Sequence, residues 1–177
     1  HTWYGRTPED EFWYPPRLRN REWMFIGWGP KPPDRHRGFD KRAELMAHIR
    51  RAAPHSCFYS TAYYDEPSAR KMVDKGWNGA DLIFDLDGDH LSEVDPFDFP
   101  SMLDTIQVQA HKLWHDFLHP EFGFEEQYLQ LTFSGHRGFH LHYREPTFWQ
   151  LDSSARRELV SHIRGLGADV SVLRNGP

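Results

Sequence analysis

The sequence predicts an α/β (α+β) domain with mixed sheets, and three observations support this fold class. Residues 79–87 are typical of a central strand, in which Leu82, Phe84 and Leu86 face one way and Asp81, Ile83, Asp85 and Asp87 face the other. Residues 101–118 repeat apolar side chains at helical spacing. Strand-like and helix-like segments mix along the chain without a regular βαβ order. With 177 residues, the chain is long enough to bury a sizeable core.

The elements before residue 80 are predicted from periodicity, capping residues and turn residues. We expect a strand over residues 21–28 and an aromatic strand over residues 56–63. Between them, Asp40 should cap a helix that stops near Pro54, and a short helix should follow Pro67.

After the central strand, the clearest element is the helix over residues 101–118. Residues 128–134 and 139–143 are expected to form two strands, which the glycine-containing segment 135–138 separates. Asp152 should cap a last helix, which a following glycine ends.

Composition excludes several kinds of protein. The single cysteine, Cys57, excludes an intrachain disulfide framework and a cysteine-rich zinc site, and it fits a reducing, cytoplasmic location. No apolar run approaches the ~18 residues of a membrane span, so no membrane partner is expected. Because the chain begins with His1 rather than Met and ends without an obvious closing element, we expect residues 1–177 to form one domain that is incomplete at both ends.

Charge divides sharply along the chain, although the net charge is only −5. Residues 17–51 carry ten Lys/Arg against four Asp/Glu, whereas residues 81–126 carry twelve Asp/Glu against one Lys. A basic flank together with an acidic metal site suits a polyphosphate or nucleic-acid substrate, although two solvated surfaces without a partner would give the same pattern.

Two aspartates at the end of the central strand are the first candidate site residues. Asp85 and Asp87 are two residues apart, so their carboxylates share one strand face at a separation of roughly 6.5–7 Å. Like charges this close repel each other, and a bound cation relieves the repulsion. Hard divalent cations such as Mg²⁺ take such oxygen ligands, and two of these ions clamp an in-line phosphoryl displacement. Considered alone, the pair also fits an exposed acidic strand end.

The turn after residue 133 holds the second set of candidates. Two glycines flank Arg137, which allows a tight turn and close approach of the backbone to a ligand. Ser134 offers a hydroxyl, Arg137 a bidentate guanidinium and His140 an imidazole, and this set suits a triphosphate. Considered alone, the segment also fits an ordinary exposed turn. The histidines leave two transition-metal sites open as alternatives, one at His140 and His142 and one at His111, His115 and His119.

Six pieces of sequence run in order through almost the entire chain. The pieces are residues 20–23 (Asn-Arg-Glu-Trp), 35–37 (Arg-His-Arg), 58–64 (Phe-Tyr-Ser-Thr-Ala-Tyr-Tyr), 75–77 leading into 80–91, 116–118 with 122–124, and 133–142. In this order and spacing they closely resemble the small, catalytic subunit of archaeal and eukaryotic DNA primase, particularly its archaeal members.

The resemblance implies the primase catalytic fold, with an RNA-recognition-like half, a second α/β unit and flanking helices around the active cleft. It also implies DNA-dependent synthesis of short RNA primers from NTPs for replication, with a single-stranded DNA template and the large primase subunit as heterodimer partner. By the same resemblance, Asp85 and Asp87 bind two Mg²⁺ or Mn²⁺ ions. The implied nucleotide-binding residues are Ser134, Arg137, His140 and Arg35.

Two features of the family have no counterpart in this sequence: a cysteine zinc knuckle and the motif around a third catalytic aspartate. We therefore expect the third metal-binding carboxylate beyond Pro177. Asp89 and Asp169 are not assigned to the site. If residues 1–177 alone made primers robustly with Mg²⁺, the third carboxylate would lie within them, and Asp81, Asp89 and Asp169 would be the first positions to mutate.

Three other functions stay open from the sequence. The first is a primase-polymerase of the same superfamily in repair or plasmid replication, and the second is a non-catalytic nucleic-acid-binding module. The third is a metal-dependent phosphodiesterase that uses Asp85, Asp87, His140 and His142.

Overall fold

A computed structural model describes residue 8 and residues 10–88, 98–135 and 137–167. The chain divides into two compact units, the first ending at Ala80 and the second beginning at Asp81. The described residues contain three α-helices and three antiparallel sheets, which confirms the predicted α+β class. No helix in these ranges is both long enough and apolar enough to cross a bilayer.

The first unit combines a three-stranded sheet, one helix and a separate hairpin. The elements of this unit are β1 (Trp23–Ile26), β2 (Asp34–Arg37), α1 (Arg42–Ala52) and β3 (Ser56–Tyr59), followed by the paired strands β4 (Ala62–Tyr64) and β5 (Trp77–Ala80). The three-stranded sheet has the order β2-β1-β3, and the buried core consists of Leu18, Trp23, Phe25, Leu45 and Ile49.

His48 makes the stability of the first unit depend on pH. Its ring lies 4.5 Å from the Phe25 ring and 5.5 Å from the Phe39 ring, between centroids. Burial lowers the pKa of His48 below its usual 6.5, although Asp34 opposes the shift. Below pH 6.5, His48 therefore binds a proton in the unfolded chain but not in the folded chain. The free energy of unfolding falls as the pH is lowered from 6.5 to the lowered pKa of the folded state.

We expect urea unfolding to show this loss between pH 7 and pH 5.5, and we expect His48→Gln to reduce it. The other histidines also titrate in this range, so the measured quantity is the difference between the chain and its variant. An identical loss of unfolding free energy in both would show that His48 does not contribute.

The second unit packs two helices against one face of a three-stranded antiparallel sheet. Its elements are β6 (Leu82–Asp87), α2 (Phe99–Lys112), a π-helix over Leu113–Leu118, β7 (Leu129–Phe133), β8 (Gly138–Tyr143) and α3 (Ser153–Ile163). The sheet has the order β6-β8-β7. The buried core joins Leu82, Leu141 and Tyr143 of the sheet to helical residues such as Trp114 and Leu118.

Several predicted boundaries move in the structure. The predicted strand over 56–63 is interrupted after Tyr59. In place of the short helix predicted after Pro67, the structure has a 3₁₀ turn, Met72–Asp74. The predicted cap of α1, Asp40, is wrong, because the N-cap residue is Lys41. The Glu44 carboxylate accepts hydrogen bonds from the backbone N–H groups of both residues. Helix α2 begins earlier than predicted, because the Asp98 carboxylate caps it by accepting the Ser101 N–H at 3.3 Å.

Candidate active site

Strand register brings the predicted aspartates beside the predicted histidine. Asp85 of β6 lies directly opposite His140 of β8, and Asp87 lies opposite Gly138. Because directly paired residues point to the same side of a sheet, Asp85, Asp87 and His140 share one face. Leu82, Phe84 and Leu86 lie on the other face against the helices, as predicted.

The same register adds residues that the sequence did not single out. Thr132 of β7 lies opposite His140, and Gln130 lies opposite His142. The Thr132 hydroxyl is 3.2 Å from Nε2 of His142. The sequence did contain one indication that Gln130 and Thr132 share a face, because polar residues alternate with apolar ones along β7. Their cross-strand partners, however, become known only from the register.

Asp85 and His140 form a contact between ionisable side chains. Oδ1 of Asp85 lies 3.3 Å from Nε2 of His140, and the side chains are 69% and 37% exposed. A surface pair of this kind contributes at most about 1 kcal/mol to stability. Its consequence is positional, because the imidazole lies within reach of any ligand that Asp85 binds.

The turn between β7 and β8 is fastened to the end of β6. The Ser134 N–H donates to the Gly138 carbonyl at 2.9 Å, and the Gly138 N–H donates to the Ser134 hydroxyl at 3.1 Å. The Gly88 N–H, immediately after Asp87, donates to the Arg137 carbonyl at 2.9 Å. These bonds place Ser134 and Arg137 at the same end of the sheet as the two aspartates.

Gly138 has a different role from the expected one. A Cβ at this position would lie 2.1 Å from the Leu86 carbonyl oxygen, so the close approach is between two strands of the protein rather than to a ligand. Gly135 meets the conformational expectation, because its φ of +85° lies in the left-handed region that glycine favours, and a Cβ there would meet nothing within 4 Å.

Gly138→Ala should therefore destabilise the chain more than the matched variant Gly135→Ala. The first change forces β6 and β8 apart at the backbone, which typically costs about 1–3 kcal/mol or more. The second costs only the left-handed backbone, about 1–2 kcal/mol. Denaturant unfolding of both variants checks this order, and an equal or reversed order would contradict the strand-contact role.

One residue of the predicted set, Arg35, belongs to the first unit. Arg35 is exposed on β2, and its participation in the site stays a prediction. Another basic residue of this unit, Lys75, is buried; its ammonium donates to the Pro67 carbonyl at 2.7 Å and lies 3.1 Å from the Glu22 carboxylate. Lys75 is thus a structural residue.

Asp81 is excluded from the metal site by its surroundings. It lies between β5 and β6 rather than inside one long strand, and its fully buried carboxylate is 3.4 Å from Nε of Arg144. It therefore does not share the exposed face of Asp85 and Asp87, although strand parity suggested that it would. The other reserve positions, Asp89 and Asp169, lie outside the described residues.

The pair Asp85 and Asp87 fits a hard divalent cation in its donor chemistry. Both residues are exposed and on one face, and carboxylate oxygens are the ligands that Mg²⁺ and Mn²⁺ take. Within the ranges that the structure covers, no three His, Cys, Asp or Glu side chains converge on one point. Further ligands must then be water or substrate oxygens, or residues outside these ranges.

Comparison with known proteins gives the family to which the chain is similar. A family model described as DNA primase small subunit matches residues 84–174, more than half of the chain, and this range contains all the candidate residues except Arg35. The DNA primase small subunit PriS of Methanosarcina barkeri is 43% identical over 162 residues, which are 90% of this chain and 39% of that protein.

Two further relatives carry the same name. The proteins of Methanothrix thermoacetophila and Haloarcula marismortui are 44% and 40% identical, and the matches cover 88% and 90% of this chain but 40% and 41% of theirs. The chain thus spans about two fifths of the length of the curated relatives it matches. Because the family model matches more than half of the chain, the chain belongs to the DNA primase small subunit family.

Proposed function

We propose that this chain carries the catalytic site of a DNA-dependent primase, which makes short RNA primers from NTPs for DNA replication. One observation carries the proposal: in a member of this family, two exposed carboxylates and an imidazole share a sheet face beside the Ser134–Gly138 turn. That combination places candidate metal ligands next to candidate phosphate ligands. Residues 1–177 would then act as one catalytic domain that includes both units.

The side chains of the turn and of β8 would hold the triphosphate. Arg137 donates from a bidentate guanidinium to phosphate oxygens, while the Ser134 hydroxyl and the His140 imidazole donate single hydrogen bonds. The 3′-hydroxyl of the growing primer gives up its proton to solvent, and its oxygen forms a bond to the α-phosphorus. The bond from that phosphorus to the bridging oxygen breaks, and pyrophosphate leaves with that electron pair. The protein's contribution is to position these groups and to balance their charge.

Asp85 and Asp87 would hold Mg²⁺ or Mn²⁺ beside this triphosphate. A divalent cation bound there would supply the positive charge that lowers the pKa of the attacking hydroxyl and offsets the charge developing on pyrophosphate. We further propose a single-stranded DNA template, the large primase subunit as partner, and a cytoplasmic location.

The function is tested by primer synthesis on single-stranded DNA with NTPs and Mg²⁺ or Mn²⁺, using the protein at its natural length. We expect RNA primers whose sequence the template dictates. A preference for dNTPs would instead indicate a primase-polymerase, and metal-dependent hydrolysis of a nucleotide diester would indicate a phosphodiesterase. The last outcome is disfavoured by geometry, because His142 is only 6% exposed. Failure to bind any nucleotide with metal would indicate a non-catalytic module.

Arg137→Ala should weaken binding of an NTP far more than binding of the matching nucleoside. A hydrogen bond to a charged group contributes roughly 1.5–3 kcal/mol, which corresponds to about 10- to 150-fold in affinity. Titration calorimetry of both ligands measures the difference. Arg157→Ala is the matched control, since Arg157 is exposed on α3 and should change neither affinity. Equal losses for nucleoside and triphosphate would show that Arg137 is structural.

A further inference from the structure

Two histidines of the second unit face each other on one helix surface. His111 is in the last turn of α2, and His115 follows four residues later. Their ring centroids are 4.0 Å apart and the rings are inclined by 33°. Both residues are exposed, so solvent and small ions reach the pair.

The backbone changes type between these two residues. The α-helix ends at Lys112 and the π-helix begins at Leu113, and the His119 N–H donates to the Trp114 carbonyl five residues earlier at 3.0 Å. Short π segments inside α-helices are rare and often occur at functional sites. The histidine pair therefore spans a local change in helix geometry.

The pair borders a cavity of about 500 Å³. Glu126, on a different element, lines the same cavity, but within the described residues it does not converge with the two imidazoles on one point. The sheet residues that line the cavity, Leu129, Leu131 and Leu141, have the parity of the face that packs against the helices. The cavity is therefore on the opposite face of the sheet from Asp85 and Asp87.

We propose that His111 and His115 form a binding site for a borderline transition-metal ion of the Ni²⁺, Cu²⁺ and Zn²⁺ class. Metal–imidazole bonds of about 2.0–2.1 Å place two neighbouring nitrogen ligands roughly 3 Å apart, and rings with a centroid separation of 4.0 Å meet this with small rotations. Imidazole nitrogen suits these ions, whereas Mg²⁺ prefers oxygen ligands.

The third histidine of the sequence-based alternative does not join the pair. Nδ1 of His119 donates to the Phe124 carbonyl at 2.8 Å, which fixes that ring to a different loop. Since no three potential ligands converge within the described residues, the site has two protein ligands and water completes the coordination. Because the ligands lie on both sides of the junction from α- to π-helix, the bound ion stabilises that junction.

Binding of Ni²⁺ to the untagged chain tests the proposal by titration calorimetry in excess Mg²⁺, which occupies hard-ion sites. We expect one Ni²⁺ to bind with an affinity that falls at least about tenfold in His111→Ala and in His115→Ala. The order of affinity should be Cu²⁺ above Ni²⁺ and Zn²⁺, with Mn²⁺ weakest. Ni²⁺ should also raise the Tm of the chain but not that of the double variant His111→Ala/His115→Ala.

Two control variants separate this site from nonspecific binding to the other histidines. His55→Ala removes an exposed histidine of the first unit and should leave Ni²⁺ affinity unchanged. Lys112→His in the His115→Ala background restores the number of histidines but not the spacing, because residues i and i+1 do not face each other on a helix. Wild-type affinity in that variant, or in the double variant His111→Ala/His115→Ala, would overturn the proposal.

Discussion

Replacement of Asp85 or Asp87 by asparagine is expected to abolish primer synthesis while the fold stays intact. Each change removes a negative oxygen ligand and keeps nearly the same side-chain volume. The charge that a bound cation supplies contributes several kcal/mol to the transition state, so the rate should fall roughly a thousandfold or more. Both side chains are exposed, and surface changes of this kind usually shift stability by less than about 0.5 kcal/mol.

The measurement is primer synthesis at saturating Mg²⁺ together with direct Mn²⁺ binding by the same variants. Asp104→Asn is the matched control, since it makes the same chemical change at an exposed position on α2. The control should retain both activities. Near-normal synthesis by Asp85→Asn and Asp87→Asn would remove these residues from the metal site.

Much of the candidate site was predictable because strand alternation acts over short distances. Alternation alone places Asp85 and Asp87 together on one face, and it separates them from Leu82, Phe84 and Leu86. The glycines around Arg137 likewise predict the turn that Ser134 and Gly138 close. What alternation does not contain is register, so the pairing of Asp85 with His140 and of His140 with Thr132 emerged only from the structure.

Two other features do not follow from the local pattern. The predicted helix over 101–118 is continuous in hydrophobic spacing, yet its last six residues are π-helical. Asp81 has the strand parity of Asp85, but β5 ends before this residue and β6 begins after it, so Asp81 belongs to neither strand. Its partner Arg144 is 63 residues away in sequence.

Asp81→Asn is accordingly expected to destabilise the second unit strongly rather than to remove a metal ligand. The Asp81 carboxylate is fully buried beside Arg144, whose side chain is only 11% exposed. Removing one partner of a buried ion pair leaves the other charge uncompensated and costs about 3–5 kcal/mol. Against a total stability of about 5–15 kcal/mol for a domain, that loss is large.

Asp81 and Arg144 can also be replaced together. This double change separates the loss of the ion pair from the cost of one buried, uncompensated charge. Asp81→Leu combined with Arg144→Met removes both charges, and buried pairs exchanged for apolar residues of similar volume often recover stability. We expect the double variant to be more stable than Asp81→Asn in urea unfolding, although Arg144 also donates to Gln130 at 2.6 Å, so recovery should be incomplete. If Asp81→Asn unfolded like Asp85→Asn, with almost no change in stability, the buried carboxylate would not be needed to balance Arg144. Asp81 would then have to be tested again as a ligand for the metal.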